Sequence, residues 1–233
     1  MASVGHTFET TAVEFSDGRM VKSVLGSHLG NTLRIDGEST SLAVAVRLSD
    51  LKFVMDELER LNVSDASPFA GKLDLSRIAL AGHSLGGLTA LLGVELDSRF
   101  RAGISIDGVM PGSLFSPTDK PIMMLFARGD HWDADTCHLW KGLRGPRLAV
   151  NLKGAEHLTP SDAVWLANGA IKTGTVGMTR TAGSVRDYVA GFLDANLNGK
   201  PMDDRLLMGL SVNYPDVEVT TQPSCGGAQE DTQ

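Results

Sequence analysis

The sequence predicts an α/β fold, a mostly parallel sheet flanked by helices. Three observations carry this. Four short apolar runs, RIALAG (77–82), AGISID (102–107), IMMLFA (122–127) and RLAVNLKG (147–154), each end in turn or polar residues. Helix-compatible stretches, Leu85 to Leu96 and Asp133 to Leu143, lie between them. The chain has 233 residues, 42% apolar and 21% charged, enough for one domain with a real core. Strands apolar along their whole length are buried on both faces. Alternation with helices makes their sheet parallel.

The elements follow in order. TAVEF, SDGR and MV form two short strands around the Asp17-Gly18 turn. Leu42 to Asn62 is a helix, because Val44, Leu48, Leu51, Met55, Leu58 and Leu61 recur at intervals of three and four. VSDASPFAGKLD is a loop, and the alternating runs follow it. The last helix, SVRDYVAGFLDANLNG, sets Val185, Tyr188, Val189, Phe192 and Leu193 on one face and stops at Gly199. The expected organisation is one domain over 1–220 and a polar, disordered tail over 221–233.

Bulk properties exclude several classes. A net charge of −7 gives no basic surface for nucleic acid or anionic lipid. No apolar run approaches the ~20 residues of a membrane span. Cys137 and Cys225 lie far apart and are expected to be two unrelated thiols, with neither a disulfide framework nor a zinc cluster. The N-terminus lacks the charged start and apolar middle of a signal peptide, so the cytoplasm is the default location. Secretion stays open if a leader has been removed from the start.

Gly82-His83-Ser84-Leu85-Gly86 fits Gly-x-Ser-x-Gly, the nucleophile elbow. A strand ends, the chain turns sharply, and a helix begins at once. The serine at the apex takes a strained backbone conformation, and crowding of strand against helix requires small residues two before and two after it. The helix N-terminus then lies under the serine oxygen, so the Leu85 N–H is the expected oxyanion donor. The context fits, with RIALA before the motif and LTALLGVEL after it. A nucleotide-binding turn would use Gly-x-Gly-x-x-Gly or a Walker lysine, and neither is present.

A serine hydroxyl needs a base, and the base needs a carboxylate to orient it. In chain order these are serine, acid, histidine. The chain has six histidines. His6 and His28 precede the serine, and His83 adjoins it but points elsewhere if Ser84 is at the apex. His131 and His138 lie in HWDADTCH. His157, in KGAEHLTPSD, follows the last apolar run, where a loop can carry an imidazole over the elbow. Two acids compete, Asp107 at the end of AGISID and Asp130 in MLFARGDHWD. Asp107 gains from its surroundings, since an apolar strand does not end on a buried carboxylate without a partner. HWDADTCH also offers His131, Asp133, Asp135 and His138 as metal ligands. Helix capping by Asp133 or Asp135, with His138 on the surface, accounts for these residues better, and no metal is expected.

AGHSLGG, AGISIDGVMPG and LKGAEHLTPSD together resemble the platelet-activating-factor-acetylhydrolase-like branch of the α/β-hydrolases, with its bacterial esterase and lipase relatives. The likeness extends to HTFETTAVEFSDGR and DYVAGFLDANLNGKP. It implies Ser84 as nucleophile, Asp107 as acid and His157 as base, with Asp130 the alternative acid used by wider polyester-hydrolase and lipase relatives. It implies a serine carboxylic-ester hydrolase forming an acyl-enzyme, with no cofactor. The alternative is a catalytically silent hydrolase-like module that binds a ligand or partner. The apolar residues around GVMPGSLF and HWDADTCHLW are candidates for an acyl pocket, and they suggest short- to medium-chain acyl esters as substrates.

One departure stands out. Such hydrolases place several strands and a His-Gly loop before the elbow, and that loop supplies the second oxyanion N–H. Only 83 residues precede Ser84 here, and GSHLGN (26–31) is a faint look-alike. The expectation is a fold short of its N-terminal strands, with the Ser84 strand at a sheet edge able to pair in a homodimer. Loss of one oxyanion donor would cost about 10²–10³ in turnover.

Overall fold

A computed structural model describes residues 12–22, 37–108, 111–127, 129, 132–167, 169–220, 223 and 225. Two compact units divide the chain, Met1–Leu75 and Ser76–Gln233.

The first unit holds an antiparallel hairpin, β1 (Ala12–Glu14) and β2 (Met20–Lys22). Gly18, at φ 80°, makes its turn, and the Gly18 N–H donates to the Phe15 carbonyl at 2.8 Å. Helix α1 (Gly37–Val63) starts before the expected Leu42. Of its apolar stripe Val44 and Met55 are buried, and Leu48, Leu51, Leu58 and Leu61 half-buried. The Asn62 side chain closes the following loop, pairing with the Leu73 main chain through both its amide nitrogen and its oxygen.

The second unit carries a five-stranded sheet in the order β3-β4-β5-β6-β7. The apolar runs form β3 (Ile78–His83), β4 (Phe100–Ile106), β5 (Ile122–Ala127) and β6 (Arg147–Leu152), all parallel. β7 (Val217–Thr220) adds an antiparallel edge that the sequence did not announce. Between the strands lie α2 (Leu85–Leu96) and α3 (Ala134–Gly142). Beyond β6 come the short α4 (Ala163–Leu166), then α5 (Met178–Leu197) and the short α6 (Asp204–Leu207). Alternation along β4 assigns the two faces. Ala102 and Ile104 join Met123, Leu125, Val150, Tyr188 and Phe192 in one core under α5. Gly103 faces the other way, where a Cβ would stand 2.9 Å from Leu91 of α2. This is the mostly parallel, helix-flanked sheet that the apolar runs imply.

The cysteines correct an expectation. Cys137 and Cys225 are not separate thiols but a disulfide, with Cα atoms 5.6 Å apart. Cys137 lies in α3, and β7 turns the chain back along the sheet before Cys225. The unforeseen strand therefore hid the pairing. Apart from Pro223 and Cys225, the tail expected to be disordered lies outside the described residues.

Candidate active site

The elbow forms as the glycine spacing requires. β3 ends at His83 and α2 begins at Leu85, leaving Ser84 between them at φ 57° and ψ −124°. A non-glycine residue held there stores about 1–3 kcal/mol of strain. The Ser84 N–H donates to the Ile106 carbonyl at 2.9 Å, and the Ser84 carbonyl accepts from Gly87 N–H at 2.9 Å. A Cβ on Gly82 would stand 2.1 Å from the Gly86 carbonyl oxygen, and one on Gly87 would stand 2.4 Å from Ser105 Oγ. Strand and helix meet there backbone to backbone. Leu85 is the first residue of α2, whose opening N–H groups have no partner within the helix.

Asp107 lies one residue beyond β4, the strand parallel to β3, at φ 48°. Its carboxylate is buried, with a side-chain exposure of 3%. Ala127 N–H, at the end of β5, donates to Oδ1 at 2.7 Å. His157 follows β6 on a loop that leaves the strand through Gly154 at φ 77°. Thr159 braces that loop. Its Oγ1 accepts from Glu156 N–H at 2.8 Å and donates to the Thr173 carbonyl at 3.2 Å.

These three side chains, which the sequence proposes as partners, meet. His157 Nδ1 lies 2.5 Å from Asp107 Oδ2, and His157 Nε2 lies 3.0 Å from Ser84 Oγ. A carboxylate only accepts, so the proton of the imidazole sits on Nδ1. Nε2 is then bare toward the serine hydroxyl. Such a chain of contacts lets a hydroxyl lose its proton to the ring while the buried anion stabilises the resulting cation.

The other candidates fall elsewhere. Asp130, His131, His6, His28 and the GSHLGN stretch lie outside the described residues. Asp133 caps α3, accepting from Thr136 N–H at 2.8 Å, and His138 is exposed on that helix. Among the described residues no three His, Cys, Asp or Glu side chains gather as a metal site would require. Trp132 packs edge-on against both Phe126 and Trp140, with ring centroids 5.5 and 5.3 Å apart, so the HWDADTCHLW aromatics pack on one another. Sequence reasoning missed the Ala127 N–H and Thr159. A Thr three residues after Glu156 is a recognisable turn signal, whereas the Ala127 contact carries no local one. It also missed His83, whose Nε2 reaches the His157 carbonyl.

A parallel sheet whose strand-to-helix elbow offers a serine to an imidazole backed by a buried aspartate defines the α/β-hydrolase fold. Residues 44–179 match the family described as platelet-activating factor acetylhydrolase, isoform II, and the chain belongs to that family. It is 26% identical, over 92% of its length, to the Arthroderma benhamiae protein named "Probable 1-alkyl-2-acetylglycerophosphocholine esterase". It is 40% identical over 80 residues, 32% of its length, to the platelet-activating factor acetylhydrolase of Cavia porcellus, covering 17% of that protein. Among solved structures it is similar to a ferulic acid esterase from Streptomyces cinnamoneus, with a TM-score of 0.73 and 30% identity over 92% of this chain. The chain spans 57% of the fungal relative's length and 63% of the esterase chain.

Proposed function

We propose that this protein is a serine carboxylic-ester hydrolase acting on short- to medium-chain acyl esters. The observation that carries the reading is the unbroken path from Ser84 Oγ through His157 to Asp107, with contacts of 3.0 and 2.5 Å. Ser84 Oγ attacks the acyl carbonyl carbon as its proton passes to His157 Nε2. The carbonyl oxygen becomes an anion held by the Leu85 N–H, at the positive end of α2. Asp107 orients the imidazole and stabilises it as a cation. The intermediate collapses, His157 returns the proton to the leaving alcohol oxygen, and the acyl group remains on Ser84. Water, deprotonated by His157, then releases the acid and restores the serine. Nothing in this sequence of steps calls for a cofactor.

The relatives' printed names support a small acyl group as substrate, an acetyl ester in one case and a ferulate ester in another. Labelling by a fluorophosphonate probe tests the reading. Wild type is expected to label at Ser84 and to hydrolyse p-nitrophenyl acetate. Ser84→Ala should lose both, and His157→Ala should lose turnover by about 10³–10⁴ or more. Equal rates for wild type and His157→Ala would point instead to a silent binding module.

Two finer readings belong with this one. The Cys137–Cys225 bond supports an oxidising compartment over the cytoplasmic default. No described helix is long and apolar enough to cross a membrane. Among the described residues β3 has a strand neighbour on one side alone, which supports the expected pairing of two copies along that edge. Sedimentation as a 24.7 kDa monomer at micromolar concentration would remove the dimer from the proposal.

A further inference from the structure

His83 is the residue before the nucleophile, and the sequence gives it no role. Its Nε2 lies 2.7 Å from the main-chain oxygen of His157. Its ring packs against the His157 ring, with centroids 4.7 Å apart and planes tilted by 36°. A carbonyl oxygen only accepts, so Nε2 of His83 carries the proton and donates it. The contact joins the last residue of β3 to a loop that lies beyond β6, across 74 positions of sequence.

We propose that His83 is a positioning residue for the base, holding the His157 main chain by its Nε2–H and the His157 ring by packing. The inference rests on the reading of Ser84, His157 and Asp107 as nucleophile, base and acid. Its logic is covalent. His83 and Ser84 share a peptide bond, so the group that grips the base is fixed to the group that delivers the nucleophile. Movement at the end of β3 then carries both together, and the 3.0 Å contact between Ser84 Oγ and His157 Nε2 is kept. Thr159 braces the same loop from its other side. Without the His83 contact the loop is held by Thr159 and at the Asp107 carboxylate, and the His157 carbonyl loses the side-chain donor that fixes it.

The ring's charge fits this role. Burial holds the His83 imidazole below the ordinary histidine range, against the hydrogen bond to the His157 carbonyl, which raises it; of the charged partners that face it, the His157 ring lowers it and Asp107 raises it. A neutral ring beside His157 leaves room for the positive charge that His157 gains when it takes the serine proton. A cation in its place would oppose that step.

Full-length protein with p-nitrophenyl acetate as substrate tests the proposal. His83→Leu removes the donor and is expected to lower kcat about tenfold to a hundredfold, the scale of a small misplacement of a reacting group, while KM moves less than about twofold. His83→Gln, whose side-chain N–H can stand where Nε2–H stands, should recover kcat to within about threefold of wild type. A Leu variant with wild-type kcat, or a Gln variant no better than Leu at the same melting temperature, overturns the proposal. Nitrogen-15 NMR of the wild-type imidazoles decides the matter even if His83→Leu does not fold. An Nε2–H tautomer for His83 at neutral pH is expected, and a bare Nε2 overturns the donor role. A wild type that neither labels nor turns over would instead overturn the hydrolase reading, and the tautomer would still report on the contact.

Discussion

Ser84 and Asp107 are the non-glycine residues of the described chain with positive φ, at 57° and 48°. Both belong to the proposed site, where the surrounding sheet holds the strain. Asp107→Asn separates geometry from chemistry. Asparagine tolerates the left-handed backbone, and its oxygen can still accept from Ala127 N–H. The new amide would then present N–H donors to His157 Nδ1 and turn the imidazole to the wrong tautomer. The expected result is a folded protein with kcat lowered by roughly 10⁴, checked by circular dichroism and steady-state kinetics. His83 sets a stability dependence on pH. Its imidazole is held below 6.5 by burial, so between that lowered value and 6.5 the unfolded chain binds more proton than the native one. Stability therefore falls as pH drops from neutrality through 6.5, and the loss is complete below the lowered native value. Melting temperatures across that range should show the slope in wild type, and His83→Gln should flatten it.

The elbow depends on two elements approaching backbone to backbone, so Gly82→Ala is a more severe change than its single methyl suggests. With the Gly86 carbonyl oxygen 2.1 Å from the new Cβ, strand or helix must shift. A loss of about 3 kcal/mol in unfolding free energy is expected by urea denaturation, together with slower labelling of Ser84. The strands β3 to β6 were legible because each is apolar almost throughout and ends in turn residues. The start of α5 was not, since Met178 to Gly183 reads MTRTAG and carries no apolar stripe. β7 was hidden for a different reason. VEVT alternates over four residues, and its pairing with β6 spans more than sixty positions, which no local pattern records. The approach of Ser84, Asp107 and His157 could be inferred because a parallel sheet gathers the C-terminal ends of neighbouring strands along one edge. The His83 contact with the His157 carbonyl could not, since any residue offers a carbonyl and nothing in the sequence marks which one is met.

Across the molecule, the disulfide is a constraint the core does not supply. Its partners are separated by 88 positions, and closing a loop of that length lowers the entropy of the unfolded chain. The chain-entropy treatment gives about 4–5 kcal/mol, an upper value where the reduced chain retains structure. Cys137→Ser should lower the urea midpoint accordingly, and a reductant should lower wild type to the same midpoint. The ring so closed contains β6, His157, α5 and β7, while Ser84 and Asp107 stay outside it. A protease that nicks the backbone inside that circle, for example near the exposed Leu166, would leave both pieces in one covalent body. Clipped protein would then migrate at full mass until dithiothreitol parts it, and the fragment set free would carry α5 and β7 away from a larger piece that keeps Ser84, Asp107 and His157.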